Sequence, residues 1–418
     1  MTSKIKNIWI INHYADPPNI GKFNRHYNFA KNLIERGYSV KIFTASTIHT
    51  TQINMISNEN PYKEKVFNGV DYVFLKASSY DDNGFKRVIN ILQYFFKALF
   101  IPNKFGKPDL VIASGPHPLA WIAGYFQAKK HQAKFITETR DLWPETFVAM
   151  GKMGRNNVIA KILYGIEKWM YKKSDIILFT LPGGIDYIKR IGLDTSKVAY
   201  INNGIVLEDY YHNRDHFVYE DEDLSNKDNF NVVFSGAIGK ANDLGRVIRA
   251  FKIIQDRGYT DIKFLIFGDK GERKELEQYV RDEKIDNVIF KGWVNKQEVP
   301  SILSQSDLQV LSLAHLPELF KYGLSPNKLF EYLGSGKPVI SNVECGHDLL
   351  EKYNCGLTVK GDSEEAMAEG IIYFYNLYRE KPESYLQYCE NSLKASKDFD
   401  FKNLTEKLVK VIGRLEEE

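Results

Sequence analysis

Lys328 and Glu331, three residues apart within Ser325–Ile340, are two side chains able to act together on one anionic, hydroxyl-bearing ligand. Pro326 just before them pre-sets a helix start, and this spacing puts both on one face near the N-terminus, beside Asn327. An ammonium there neutralises phosphate, and a carboxylate accepts hydrogen bonds from ribose hydroxyls. An isolated Lys–Glu pair at helical spacing is more commonly a surface ion pair. The ligand reading therefore depends on a second phosphate-type element.

One occurs at Ser235-Gly236-Ala237-Ile238-Gly239-Lys240, between an apolar run and a helical pattern. Gly236 and Gly239 let the backbone approach a ligand, the helix start offers amides, and Lys240 adds a full charge. Glycine is also what any tight strand-to-helix turn requires, so the loop gains weight only beside Lys328. A similar loop, Asn19-Ile20-Gly21-Lys22, lies in the first half. If two such domains face each other, a diphosphate would meet amides from both, although Lys22 equally suits a solvated loop.

His117, held between Pro116 and Pro118, follows an apolar strand and so projects at its C-terminal edge, where open α/β sheets bind ligands. A structural histidine and a ligand contact both fit. Thr137–Glu145 crowds Glu138, Arg140, Asp141, Trp143 and Glu145 at the end of another apolar strand. Burying that many charges requires pairing, so an Arg140–Asp141 or Arg140–Glu138 network is expected, with the rest available to a hydroxyl-rich substrate.

The elements that position these groups alternate twice. Apolar runs at Asn7–Asn12, Val40–Ala45, Asp109–Ala113, Lys134–Thr139, Asp175–Thr180 and Val198–Ile201 are separated mostly by helical patterns; the first helix shows Phe23, Tyr27, Ala30 and Ile34 on one face. Val66–Lys76 reads as a hairpin turning at Asn68-Gly69. After Asn202-Asn203-Gly204 about 25 residues lose periodicity, and the acidic run Tyr219–Asn229, with Asp221-Glu222-Asp223, reads as a charged surface loop rather than a metal site. A second series runs from Asn231–Ser235 to Val339–Ile340, followed by helical, charged sequence. The expectation is α/β: two doubly wound parallel-sheet domains, at 1–205 and 206–390, with a helical segment 391–418 packing back on the first.

At 418 residues the chain exceeds one ordinary core. Residues 1–205 hold 28 Lys and Arg against 15 Asp and Glu, so the first half carries +13 and the remainder −10. A basic half faces something anionic. No zinc spacing or RNA-binding motif supports nucleic acid. Arg87–Phe100 is apolar and aromatic with Lys86, Lys104 and Lys107 around it, which suits either an interfacial helix on an anionic membrane or a core helix with a basic edge. No segment has the uninterrupted apolar length of a span, no secretory signal opens the chain, and Cys345, Cys355 and Cys389 lack metal-ligand spacing. A cytoplasmic location is expected.

Taken together, Ile20-Gly21, His117, Glu138-Thr139-Arg140-Asp141-Leu142-Trp143-Pro144-Glu145, Asn202–Ile205, Gly236–Lys240, Ile266–Asp269, Phe290–Val294 and Ser325–Ile340 resemble the retaining glycosyltransferases of family four. The Arg-Asp-Leu-Trp-Pro-Glu stretch looks like the O-antigen and capsule branch, including WbuB-like N-acetylfucosamine transferases. The resemblance implies a GT-B fold, two Rossmann-like domains facing across a cleft. It implies transfer from a UDP-sugar to a polyprenyl-diphosphate-linked saccharide at the inner face of a bacterial membrane, with no metal or other cofactor. By the same resemblance Lys240 and Lys328 hold the donor diphosphate, Glu331 the ribose, the backbone near Trp293 and Val294 the base, and Gly21 a phosphate. His117 and Asp141 lie near the transferred sugar and the acceptor hydroxyl. Many relatives carry an earlier Glu where this chain has Gly323. A UDP-sugar 2-epimerase and a non-catalytic partner of a polysaccharide-assembly complex are the alternatives.

Overall fold

The computed structural model describes residues 4–21, 24–49, 51, 53–80, 84–115, 117–361 and 363–417, and the chain forms two compact units. The first is Met1–Asn202 with Phe401–Glu418, the second Asn203–Asp400. The boundaries therefore fall after 202 and 400, not after 205 and 390. The C-terminal correction has a plain cause. Helix Pro382–Asp398 packs on helix Asn327–Gly334 of the second unit, and only Phe401–Glu417 joins the first. Its buried Phe401, Leu404, Leu408, Ile412 and Leu415 form one apolar stripe. Phe401 meets Phe29 of helix Arg25–Ile34 edge-on at 5.3 Å, and Asn32 donates to Thr405 Oγ1 at 3.2 Å.

The first unit holds an eight-stranded sheet: β1 (Asn7–Asn12), β2 (Ser39–Ala45), β3 (Tyr62–Phe67), β4 (Val70–Leu75), β5 (Leu110–Gly115), β6 (Lys134–Thr139), β7 (Ile176–Phe179) and β8 (Val198–Tyr200). Their order is β3-β4-β2-β1-β5-β6-β7-β8. All pairs are parallel except β3–β4. That pair is the expected hairpin, with Asn68 at φ 46° and Gly69 at φ 84°, the doubly left-handed turn that matches strand twist. Strands β5 and β7 are buried along their whole length, which explains their uninterrupted apolar sequence.

The chain runs outward from β5 through β6 to β7. Right-handed crossovers put helices Phe85–Phe100, Pro118–His131 and Val158–Lys173 on one face of the sheet, and neighbouring helices touch in that order. Phe85–Phe100 is inverted relative to a core helix. Asn90, Tyr94 and Ala98 face inward, while Phe85, Val88, Leu92, Phe96 and Phe100 are exposed, Phe85 at 77%.

The second unit has a six-stranded parallel sheet: β9 (Phe230–Ser235), β10 (Ile262–Phe267), β11 (Val288–Gly292), β12 (Leu308–Leu311), β13 (Val339–Ser341) and β14 (Gly356–Thr358), in the order β11-β10-β9-β12-β13-β14. Phe230, Val232, Phe234, Phe264, Ile266 and Val310 form its core against helix Leu244–Asp256. Two features differ from expectation. Helix Leu207–His216 occupies the stretch read as aperiodic, since only Leu207 and Tyr210 of it are buried. Asp221 and Asp223 are not simply solvated; they clasp Lys291 Nζ at 2.7 and 2.6 Å.

Candidate active site

Each sheet reverses direction once, between β1 and β5 and between β9 and β12. Ligands of doubly wound sheets bind outside the carboxyl ends of the strands at such points. The predicted site residues of each unit cluster there.

In the second unit the loop Gly236–Gly239 leaves β9 and leads through a turn at Lys240–Asn242 into helix Leu244–Asp256. The loop is pressed on the backbone after β10. A Cβ at Gly268 would lie 1.8 Å from the Gly236 carbonyl oxygen, and one at Gly271 2.0 Å from that of Ile238. The amides of Gly236 and Ile238 donate to the carbonyls of Phe267 and Asp269 at 2.9 and 3.2 Å. Among the described residues those of Ala237, Gly239 and Lys240 carry no hydrogen bond, so they are the donors left for a phosphate.

Lys328 lies against this loop. Its ammonium donates to Asn242 Oδ1 at 2.6 Å, sits 4.5 Å from the Phe234 ring centroid, and would be 3.3 Å from a Cβ at Gly236. Asn242 in turn donates to the Ala237 carbonyl at 2.8 Å, so it braces both loop and lysine. Burial pushes the Lys328 pKa down to about 8, with Glu331 opposing. Glu331 is shifted the other way by burial, against the pull of Lys296 and then Lys328. Helix Asn327–Gly334 is fixed to the end of β9 by Tyr332, whose hydroxyl accepts from the Ser235 amide at 3.1 Å. Asn327 is exposed at its first position, and Lys240 is exposed with no side-chain partner among the described residues. Trp293, 69% exposed, and half-buried Val294 follow β11, leading into the segment whose Lys296 acts on Glu331. The structure thus brings Gly236, Gly239, Lys240, Lys328 and Glu331 into one basic corner.

In the first unit His117 precedes helix Pro118–His131, and His13 follows β1. His117 Nε2 and His13 Nδ1 are 2.8 Å apart, and His13 Nε2 lies 2.6 Å from Asn90 Oδ1. The protons can be assigned. Asn90 Nδ2 donates to Ser78 O and Thr47 Oγ1, so Asn90 Oδ1 must accept from His13 Nε2–H. Both rings are neutral: burial and then His117 hold His13 well below its usual range, and burial and then Arg87 push His117 down to about 3. His13 Nδ1 therefore accepts from His117 Nε2–H. Among the described residues His117 Nδ1 is a buried acceptor with no partner, suited to a ligand hydroxyl.

The cluster after β6 divides differently from expectation. Arg140 pulls on both Glu138 and Asp141 through charge, but the direct partners of Glu138 are others. Its carboxylate is buried against Arg25 Nε at 2.9 Å and His26 Nε2 at 2.7 Å. Burial alone would raise its pKa, but Arg25 and His26 hold it well below the usual range. Arg25 also donates to the carbonyls of Asn202 and Ile201. Glu138 is thus a buried ion-pair anchor, a placement that favours a structural over a catalytic role. Arg140 is half-buried and Asp141 exposed just beyond it. Gly21 has the Asp16 carboxylate against it, 2.2 Å from a hypothetical Cβ. Lys22 lies outside the described residues. His13, Asn90, Arg25 and His26 escaped the sequence reading. The one available signal was that His13 and His117 each follow an apolar strand that becomes central.

Residues 24–209 match the family model described as Glycosyltransferase Family 4, and residues 229–376 match Glycosyl transferases group 1. The first unit is thus similar to family-four glycosyltransferases and the second to group 1 glycosyl transferases. One curated relative, the putative teichuronic acid biosynthesis glycosyltransferase TuaH of Bacillus subtilis (strain 168), is 24% identical over 216 residues, 49% of each chain. The chain thus matches about half the length of that relative. Sucrose-phosphate synthase from Thermosynechococcus elongatus superposes with a TM-score of 0.71 at 17% identity, covering 98% of this chain and 99% of the other. Anabaena Alr3699/HepE, solved in complex with UDP, gives 0.66 at 13% identity, covering 98% and 100%. The fold is GT-B. In this chain the position where many relatives carry an earlier Glu is Gly323 at φ 91°, a left-handed backbone that Glu adopts only with strain. Glu318, nearby in sequence, is exposed and pairs with Lys321.

Proposed function

We propose that this chain is a retaining glycosyltransferase that moves a sugar, an N-acetylated amino or deoxy sugar, from a UDP-sugar to a polyprenyl-diphosphate-linked saccharide in O-antigen or capsule synthesis. The observation that carries the donor assignment is the half-buried Lys328 ammonium lodged against the Gly236–Lys240 loop at the switch point of the second sheet. A diphosphate there meets two ammonium groups and unpaired loop amides. These compensate the charge that builds on UDP as the anomeric C–O bond breaks, so the reading requires no divalent metal. The acceptor oxygen forms the new bond to the anomeric carbon, and its proton passes to a donor phosphate oxygen. Glu331 accepts from the ribose hydroxyls, and the backbone at Trp293 and Val294 holds the base. In the first unit the bare His117 Nδ1 accepts from a sugar hydroxyl, with Asp141 and Arg140 close to the acceptor.

Support for an anionic membrane surface comes from the outward apolar stripe of helix Phe85–Phe100 and the basic balance of the first half. An epimerase working on a soluble sugar nucleotide has no use for that stripe. Among the described residues no helix is long and apolar enough to cross a membrane. The test is UDP release with membrane extract across a panel of donors. The reading expects turnover with one UDP-sugar and its collapse in Lys240→Ala and Lys328→Ala. Unchanged turnover in both variants would contradict it.

A further inference from the structure

We propose that the first unit docks on an anionic bilayer through the whole outer face of three packed helices, Phe85–Phe100, Pro118–His131 and Val158–Lys173. The proposal rests on the membrane reading of Phe85–Phe100 above and extends it from one stripe to a plane with a defined orientation. The three helices form one layer. Buried Gln127 of the middle helix donates to the Ala98 and Leu99 carbonyls of the first at 3.1 and 2.8 Å. On the other side Tyr125 meets Trp169 edge-on at 5.6 Å. With axes roughly 9 Å apart and helices about 24 Å long, the outer face spans on the order of 500 Å². The apolar stripe of the first helix continues across it. Phe126 of the middle helix is 47% exposed, and Ile159, Ile162 and Trp169 of the third are 61%, 57% and 37% exposed. Bare apolar surface on that scale marks an interaction face.

Charge says what covers it. The three helices carry nine Lys and Arg and one acid, Glu167. Glu167 is buried against the Tyr187 hydroxyl, and burial pushes its pKa up to about 8, so it adds little negative charge at neutral pH. Lys97, Lys129, Lys130, Lys172 and Lys173 occupy last turns, where any helix end favours a cation. Lys161 and Lys168 do not; both are exposed, one beside Ile162 and the other beside Trp169. None of these seven lysines has an ion-pair partner among the described residues. Rings and aliphatic side chains set among such lysines match acyl chains beneath anionic headgroups. A second copy of the chain would bring the same positive face and be repelled.

The orientation follows from the strand order. The three helices lead into β5, β6 and β7, which are parallel, so all three end at the amino edge of the sheet. The lysine-rich last turns line that edge, and His117, just before helix Pro118–His131, lies at the opposite border. Docked on this plane, the unit keeps the carboxyl ends of its strands beside the headgroups, where a lipid-linked saccharide emerges.

The experiment uses the full chain and phosphatidylcholine–phosphatidylglycerol vesicles with brominated acyl chains, read by sedimentation and tryptophan fluorescence. Trp169 is the reporter, since Trp9 and Trp121 are buried. The wild type is expected to sediment with the vesicles in low salt and to be quenched. Trp169→Phe is expected to lose most of that quenching while still sedimenting. Phe126→Asp and Ile162→Asp are each expected to weaken retention several-fold, with thermal midpoints unaltered. Full quenching in Trp169→Phe, or full retention of both Asp variants, would overturn the plane and confine docking to helix Phe85–Phe100. Equal retention on pure phosphatidylcholine would overturn it too, as would a dimer in solution that the Asp variants dissociate, which gives the face to a second copy. A wild type that no vesicle retains removes the membrane reading as well. The donor reading is judged apart, by thermal stabilisation with UDP.

Discussion

At the scale of single residues the donor reading turns on Lys328, and its titration is informative. With its pKa near 8 from burial, it loses its proton well before an ordinary lysine at about 10.4. UDP affinity is therefore expected to fall as pH rises through about 8, while Lys328→Met binds weakly at every pH and shows no such step. Ligand-free stability moves oppositely. The unfolded chain keeps this proton to higher pH, so the fold gains stability from about 8 upward. Titration calorimetry and thermal melts across that range check both signs.

Glu138 and His117 make contrasting cases. Glu138→Ala leaves Arg25 buried without its carboxylate, and a loss of about 3–5 kcal/mol is expected in urea unfolding. A catalytic Glu138 would instead yield an inactive protein of ordinary stability. For His117 the informative change is Asn90→Asp. A carboxylate at that position favours a charged His13, which then donates through both nitrogens and obliges His117 Nε2 to accept. Nitrogen NMR of labelled histidines should show the His117 proton moving from Nε2 to Nδ1, with transfer falling because the free acceptor is lost. An unmoved proton would remove His13 and Asn90 from the account.

At the scale of elements, the outward apolar stripe of helix Phe85–Phe100 supports the interfacial role proposed for it. Composition alone did not separate that role from a core one, because an apolar helix with basic flanks serves either inside a core or on a bilayer. What settled its packing was the position of its polar Asn90, which turns inward to bind His13 while five large apolar residues stay outside. Phe96→Asp is expected to reduce retention on anionic vesicles several-fold in low salt and to leave stability within about 0.5 kcal/mol. Binding of the wild type should weaken as salt screens its lysines. Equal binding of both proteins would detach this helix from any membrane role. The apolar runs made the long strands legible except β3, whose exposed residues 63–65 carry no apolar signal and which only the Asn68-Gly69 turn marked. Helix Leu207–His216 was not, since a helix that buries two side chains leaves no periodic trace. Nor was the Arg25–His26–Glu138 network, because a sequence does not show that charges more than a hundred residues apart are folded onto one another.

At the scale of the whole molecule the chain leaves the first unit at Asn202 and returns at Phe401. The second unit is therefore one continuous stretch, and a fragment 203–400 is expected to fold and bind UDP. A fragment 1–202 lacks the helix that covers Phe29 and Asn32, and it is expected to melt lower than the same unit in the full chain. Site legibility followed the same division. The second unit's ligand residues lie in two short, glycine-marked segments that a sequence displays directly. Those of the first unit assemble from β1, β5 and helix Phe85–Phe100, and only half of the histidine pair stood out.

The central claim is that the second unit grips a nucleoside diphosphate through Lys240 and Lys328. Calorimetric titration of UDP into the full-length wild type, Lys240→Ala and Lys328→Ala tests it most directly. The account predicts measurable binding by the wild type and a loss of about tenfold or more in each variant, with their melting curves intact. Wild-type affinity in both variants, or no binding of UDP at all, would contradict it.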